Sequence, residues 1–287
     1  MFFAVLLLGV LITSCSSDDD NGTSLASLTL NLTGLEDLGN DFVYEGWLIV
    51  NGSPVSTGVL PNVNFPQTVE VSNSDLLDAT TFVLSIEPAV DPDPAPAATK
   101  ILAGDFSGDT ANVNSLGIVG DFSSSEGTYI LATPTDGGSD TNEESGVWFL
   151  DNSSGNPIAG LDLPTLTDGW KYEGWAVIGG IPVSTGTFTS IMGFDDNAST
   201  TAFKGDFGDG PAFPGEDFLQ NAPVGMTFPT DLKGATIVVS VEPSPDNSTA
   251  PFTLKPLAHV VPVDAMNHTI INMGAGPTSS ISGSVTR

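Results

Sequence analysis

The chain has few basic residues, and this scarcity limits its partners. Of its 287 residues only 6 are Lys or Arg, against 35 Asp or Glu, which gives a formal net charge of −29. Because such a surface repels phosphate backbones, nucleic acid is excluded as an expected partner. A single cysteine excludes a disulfide within the chain. Long helical periodicity is also missing, whereas 32 Gly and 21 Pro supply many turns.

Groups that would mark a catalytic centre are scarce as well. The two histidines, His259 and His268, are candidate general bases, but no Gly-x-Ser-x-Gly sequence occurs and no nucleophile is recognisable beside either. We therefore predict that the protein is not an enzyme and assign no catalytic residue. A hydrolase that uses paired carboxylates remains an alternative, since glycosidases need only two acids.

The N-terminus carries features of an exported lipoprotein. Residues 2–12 form an apolar run that is too short to cross a bilayer and typical of a signal-peptide core. The sequence Ile-Thr-Ser-Cys that ends at Cys15 resembles a lipobox, so we predict a signal peptide at 1–14 and lipidation of Cys15. No Lys or Arg occurs before Lys100, so the positively charged segment expected ahead of a signal-peptide core is missing, and we expect either a translation start further upstream or several candidate starts.

An acidic tether is predicted at residues 15–26, directly after the lipidated cysteine. Its sequence Ser-Ser-Asp-Asp-Asp at 16–20 resembles a signal that sends some Gram-negative lipoproteins to the cell surface. We therefore expect the protein to be lipid-anchored in the outer membrane and exposed at the cell surface, with membrane lipid as one partner.

An internal repeat organises the rest of the chain. Residues 44–58 (YEGWLIVNGSPVSTG) and 172–186 (YEGWAVIGGIPVSTG) are identical at ten of fifteen positions. A second block recurs as FVLSIEP at 82–88 and IVVSVEP at 237–243, and in each copy a Lys follows the Glu by thirteen residues. The second copy has 27 extra residues between the blocks. Two blocks in the same order indicate duplication.

Each block has the alternating pattern of a β-strand. Asn51-Gly52 and Gly179-Gly180 are pairs typical of tight hairpin turns. Short helical turns are predicted only near residues 74–78 and 216–220. The sequence therefore predicts an all-β protein of two tandem small β-sandwich (Ig-like) domains.

The predicted domain boundaries follow from the repeat. The first domain is placed at 27–134 and the second at 146–287. The polar stretch 135–145 between them is predicted to be either a linker or a long hairpin loop.

The repeated blocks resemble the extracytoplasmic C-terminal domain of anti-sigma-K-type factors. That family shows a Trp-bearing strand, a Gly turn, a Pro-Val-Ser-Thr-Gly-like return, a strand ending in Glu-Pro, and a Pro-rich loop before a Leu-Ala-Gly-like strand. These elements correspond to residues 44–58, 82–88, 91–96 and 100–104, and in the second copy to 172–186, 237–243 and 254–259. The resemblance implies the family's fold and an outward-facing sensing or protein-interaction role.

The sequence also departs from the signalling members of that family. Those proteins join this domain through a membrane helix to a cytoplasmic segment that sequesters a sigma factor. This chain shows no Cys/His cluster and no spanning segment. If Cys15 is the anchor, we expect no sigma-factor sequestration by this polypeptide.

Four repeated residues are candidates for ligand binding. Glu45 and Trp47 in the first copy, and Glu173 and Trp175 in the second, would give a sugar an aromatic platform beside an acid. The alternative function is thus a carbohydrate-binding or adhesive surface protein. The competing interpretation is that these residues recur because they pack the fold.

Calcium is the metal that the composition favours, because oxygen ligands are abundant. Asp-rich loops occur at 104–109, 135–144, 193–197 and 205–210, but none has EF-hand spacing. The expected state is a protein without cofactor or assigned metal ligand, with calcium left open.

Overall fold

The structure, a computed structural model, describes residues 24–138, 141–246, 248–277 and 281–287. The predicted signal peptide, Cys15 and most of the acidic tether lie outside the described residues. In chain order the strands are β1 (Leu25–Thr33), β2 (Phe42–Val50), β3 (Ser53–Val59), β4 (Gln67–Ser72), β5 (Ala79–Pro88), β6 (Lys100–Ser107), β7 (Thr110–Asn114), β8 (Glu126–Leu131), β9 (Gly146–Trp148), β10 (Leu150–Asp151), β11 (Ile158–Ala159), β12 (Leu161–Asp162), β13 (Trp170–Ile178), β14 (Ile181–Phe188), β15 (Gly215–Asp217), β16 (Thr236–Pro243), β17 (Leu257–Val260), β18 (Ile271–Asn272), β19 (Gly274–Ala275) and β20 (Ser282–Thr286).

Helix is confined to short pieces in the described part of the chain. The helix α1 (Asn73–Asp78) follows β4, with the Ser72 hydroxyl accepting a hydrogen bond from the backbone N–H of Asp75. A 3-10 turn covers Glu143–Ser145. No helix among the described residues is long and apolar enough to cross a bilayer. The helical turn expected near 74–78 is confirmed, and the all-β, sandwich-type class is confirmed.

The helical turn expected at 216–220 is wrong. Gly215, Glu216 and Asp217 instead form β15, which pairs antiparallel with β9. Backbone hydrogen bonds to a strand almost seventy residues earlier in the chain decide this conformation. A local pattern of charged and apolar residues carries no information about such a partner.

The sheets follow from alternation of side chains along the strands. In β1 the buried side chains are Leu28, Leu30 and Leu32, and the intervening polar residues face outward. The hairpin turns form as expected, with positive φ at Asn51-Gly52 and at Gly179-Gly180. All observed strand pairs are antiparallel.

Three main sheets organise the described residues. An eight-stranded sheet has the order β3-β2-β5-β6-β7-β20-β1-β4. A five-stranded sheet has the order β14-β13-β16-β17-β19. A second five-stranded sheet has the order β12-β8-β9-β15, and its fifth strand, β18, also pairs with β8. The strands β10 and β11 form a two-stranded ribbon.

Two strands pair across the predicted domain boundary. β20, from the C-terminus, lies between β7 and β1 in the first sheet, and β8 pairs with strands that follow residue 145. The segment 135–145 connects β8 to its neighbour β9, and Leu131 lies opposite Val147. The sheets thus divide the chain differently from the predicted segments, whose independence as domains stays a prediction.

One continuous hydrophobic core joins the two halves. It contains buried side chains from the first half, such as Phe82, and from the second, such as Phe149 and Val239. Polar contacts cross the same junction, including the hydrogen bond from Trp170 Nε1 to the Lys100 carbonyl at 3.2 Å. The two halves of the chain therefore share one interior.

Candidate functional site

Both repeated tryptophans are buried. Trp47 is 3% and Trp175 is 2% exposed, so the exposed aromatic groove expected of a glycan-binding site is not formed by these residues. Each indole N–H donates to a buried serine hydroxyl, Trp47 to Ser85 at 2.8 Å and Trp175 to Ser240 at 2.7 Å. An indole enclosed in this way offers no face to a sugar ring, which favours the packing interpretation.

The serine that accepts from the indole also donates to a glutamate. Ser85 Oγ donates to Glu87 Oε1 on the same strand, and Ser240 Oγ donates to Glu242 Oε1. The result is a Trp–Ser–Glu chain in each half, with all three side chains buried. We refer to these two arrangements as the first and second Trp–Ser–Glu chains.

The other two predicted site residues occupy matching positions. Glu45 accepts from the Ser56 hydroxyl and Glu173 accepts from the Ser184 hydroxyl, in both cases across the hairpin. Glu45 is half-buried, whereas Glu173 is only 5% exposed. Neither glutamate lies beside an exposed Trp face, and their assignment as ligand-binding residues stays a prediction.

The strand register explains why the two halves build the same arrangement. Glu45 lies opposite Ser85 in the pair β2–β5, and Glu173 lies opposite Ser240 in the pair β13–β16. Both outer hairpins shift register at the Gly-Trp step. At Gly174 a Cβ atom would overlap the side chains of Thr185 and Phe149, which explains the glycine of the YEGW sequence.

The loops after the Glu-Pro strands differ between the halves. Ala97 N–H lies 2.8 Å from Glu87 Oε1 and 3.1 Å from Oε2, so both carboxylate oxygens receive a donor. In the second half Phe252 N–H donates to Glu242 Oε1 at 2.9 Å, and Oε2 is buried without a partner. The second glutamate therefore retains an unsatisfied oxygen.

Three carboxylates converge at this point of the second half. Glu173, Glu242 and Asp246 each bring an oxygen to within 4.8 Å of the others. We call these residues the carboxylate triad. Asp246 was missed by the sequence prediction, although one signal existed: an Asp follows the repeated Glu by four residues in both copies, at Asp91 and Asp246.

Burial dominates the electrostatics of the triad. It raises the pKa of Glu173 to about 7 and that of Glu242 to about 8, against a serine hydrogen bond that lowers each. The nearby charge of Asp246 raises both pKa values further, and a hydrogen bond between the Asp246 and Glu173 carboxyl groups also raises the pKa of Glu173. Charge on these carboxylates is therefore costly unless a cation or a proton compensates it.

A cavity of about 330 Å³ opens beside the triad at the junction of the halves. Glu36, Asp37 and Phe42 line it from the β1–β2 side, and Glu242 and Asp246 line it from the loop after β16. Burial raises the pKa of Glu36, and the charge of Lys255 lowers it. The cavity is thus lined by carboxylates from both halves.

A second group of buried acids surrounds β15. Asp217 accepts from Trp148 Nε1 at 2.7 Å and from the Thr135 N–H at 2.9 Å, while Glu216 Oε2 is buried without a partner. Burial raises the pKa of Glu216 to about 8 and that of Asp217 to about 6. These residues belong to β15, where the sequence predicted only a helical turn.

The two histidines make separate contacts. His268 Nε2 lies 2.9 Å from Glu143 Oε2, and His259 Nδ1 lies 3.1 Å from the Tyr129 hydroxyl. Both contacts bridge distant parts of the chain. These contacts give each ring a structural partner.

Comparison with known families bears on the first half. Residues 20–101 match the family model described as anti-sigma-K factor rskA, C-terminal. This anti-sigma-K-like segment covers 82 of the 287 residues, from before β1 into the first residues of β6. The resemblance is confirmed there and stays a prediction for the second half. Neither the curated proteins nor the solved structures compared with the chain gave a match.

The paired Trp–Ser–Glu chains predict matched stability losses. Ser85→Ala and Ser240→Ala should each cost about 1–3 kcal/mol, because each leaves a buried indole N–H without an acceptor and removes one of the donors to a buried carboxylate. Ser107→Ala, on an exposed position of β6, should stay within about 0.5 kcal/mol of wild type. Urea denaturation followed by tryptophan fluorescence measures all three. If either Ser85→Ala or Ser240→Ala lost no more stability than Ser107→Ala, the two Trp–Ser–Glu chains would not be equivalent.

The buried acids predict that stability falls as the pH rises. With its folded pKa raised to about 8 from an ordinary 4.5, Glu216 binds its proton more tightly in the folded state. Its contribution is therefore complete below pH 4.5 and is lost as the pH rises through 8.

A neutral variant isolates this contribution. When the pH is raised from 6 to 9, the melting temperature of wild type should fall further than that of Glu216→Gln. The difference between the two decreases should be at least about 2–4 °C, which corresponds to roughly 1 kcal/mol. The exposed control Glu126→Gln should follow wild type. If the melting temperatures of Glu216→Gln and wild type change equally between pH 6 and pH 9, burial does not raise the pKa of Glu216.

Proposed function

We propose that the protein is a non-catalytic, lipid-anchored surface module that senses envelope state or binds a partner protein. The anti-sigma-K-like segment carries this proposal, because that family is regulatory. The match supports a regulatory role and a protein partner. The duplication of the unit, the anchor and the surface location are our extension of that match.

Duplication is supported by the shared geometry of the halves. Both have the same hairpin register, the same shift at the Gly-Trp step and the same Trp–Ser–Glu chain. Lys100 and Lys255 donate equivalently, each to the carbonyl three residues before it. We infer that the second half derives from the same unit and carries the 27-residue insertion as a specialised addition.

The insertion supplies a surface for a partner. Met192, Phe194 and Phe207 are large apolar side chains that are 51–73% exposed within a segment that has no counterpart in the first copy. Exposed apolar side chains surrounded by acidic residues fit a protein partner whose contact surface is apolar with a basic rim. Because both repeated indoles are buried, the carbohydrate-binding alternative lacks the aromatic platform that motivated it.

Lipidation is tested at the predicted acceptor. Cys15→Ser should abolish labelling by a fatty-acid analogue and leave unprocessed precursor, whereas Ser17→Ala should be labelled like wild type. Gel mobility and fluorescence of the labelled protein measure both effects. Equal labelling of wild type and Cys15→Ser would contradict the anchor.

Partner binding is tested by photo-crosslinking in intact cells. A photoreactive amino acid at Met192 or Phe207 should give the same discrete adduct, while the equally exposed control position Leu77 on α1 should not. Mass spectrometry of the adduct identifies the partner. Failure of both insertion positions to crosslink, or identical adducts at all three positions, would contradict the proposed surface.

A further inference from the structure

We propose that Glu173, Glu242 and Asp246 form a binding site for a hard divalent cation, with calcium as the expected ion. This inference does not depend on the proposed function. It assigns a metal site to residues outside all four Asp-rich loops that the sequence suggested. Three carboxylates from β13, the end of β16 and the following loop supply the ligands.

The geometry suits a single ion. The three ligand oxygens lie within 4.8 Å of one another. Calcium binds oxygen at about 2.3–2.6 Å, so two ligands on opposite sides of the ion are roughly 5 Å apart. One cation therefore reaches all three carboxylates without rearrangement of the strands that hold them.

Unsatisfied oxygens provide the independent evidence for a ligand. Glu173 is 5% and Glu242 is 1% exposed, and the Oε2 atom of each is buried without a hydrogen-bond donor. The Asp246 carboxyl can hydrogen-bond to Glu173 only while one of the two groups keeps a proton, and a bound cation would take the place of that proton. In each glutamate the other oxygen is already held, by Ser184 in Glu173 and by Ser240 and Phe252 in Glu242. The free oxygens are thus fixed in orientation, and an unpaired buried oxygen is costly.

The first half shows what the same positions look like without such a site. Glu87 receives the Ala97 N–H on both oxygens, Glu45 is half-buried and Asp91 is exposed. The equivalent residues there satisfy their carboxylates with backbone donors and solvent. Only the second copy leaves two fixed oxygens without a donor, which is the arrangement a cation stabilises.

Ligand chemistry and access favour calcium over other ions. An all-oxygen set selects calcium, magnesium or manganese over zinc and copper. Magnesium dehydrates reluctantly and is usually held by only one or two carboxylates, whereas calcium accepts several. The adjoining cavity gives the ion a route from solvent and room for the water ligands that complete its shell. Glu36 from the first half lines the same cavity and adds negative potential.

The test uses the full-length chain, stripped with a chelator and returned to 150 mM NaCl with excess magnesium. Calorimetric titration with calcium should give one site, and the melting temperature should rise by roughly 5–10 °C when free calcium is about 100 times the Kd. Asp246→Asn should weaken calcium binding at least tenfold. Its side chain is only partly buried, so the variant should fold.

Matched controls separate this site from general attraction to an acidic chain. Asp91→Asn and Glu87→Gln, at the equivalent positions of the first copy, should bind calcium like wild type. Glu173→Gln should lose the site while keeping the Ser184 hydrogen bond, and circular dichroism checks its fold. If calcium raises the melting temperature of Asp246→Asn and wild type equally, or binds neither, the proposal is overturned.

Discussion

A buried indole bound to a buried serine sets the geometry of both halves. The serine accepts from the tryptophan and donates to a glutamate two residues further along its strand, so Trp47 and Glu87, like Trp175 and Glu242, are held by one hydroxyl. Each group is desolvated, and removal of the serine takes the acceptor from the indole N–H and one donor from the glutamate. This constraint accounts for the Trp repeated at 47 and 175 and for the Ser-x-Glu sequence repeated at 85–87 and 240–242. It also aims each glutamate at the loop that follows its strand.

That shared frame leads to different chemistry in the two loops. The first loop returns a backbone N–H to both oxygens of Glu87, and the second returns one to a single oxygen of Glu242. The halves also differ in the burial of the other repeated glutamate, since Glu45 is half-buried in the first half and Glu173 is buried in the second. A repeated structural unit can thus acquire a ligand site through its loops while its strands stay the same. The anti-sigma-K-like match covers the half with satisfied carboxylates.

Local features of the sequence predicted much of the fold and part of the site. The alternation at Leu28, Leu30 and Leu32 and the turn pairs Asn51-Gly52 and Gly179-Gly180 are short-range signals, and the corresponding strands and hairpins formed. The burial of Trp47 and Trp175 was left open, because periodicity does not say which face of a strand another sheet covers. Asp246 was missed because loop residues have no periodicity. The pairing of β15 with β9 depends on a distant partner that no local window contains.

The position of β20 has a consequence for the order in which the protein assembles. β20 separates β7 from β1, and its residues pair with both neighbours, Val285 lying opposite Leu30 and Ala111. Until β20 has been synthesised, the eight-stranded sheet can exist only as two incomplete ribbons, β3-β2-β5-β6-β7 and β1-β4. Contacts of such long sequence separation fold slowly and late. The eight-stranded sheet therefore closes after the other described sheets, whose strands all precede β20, and β20 fixes β1 in place beside β7.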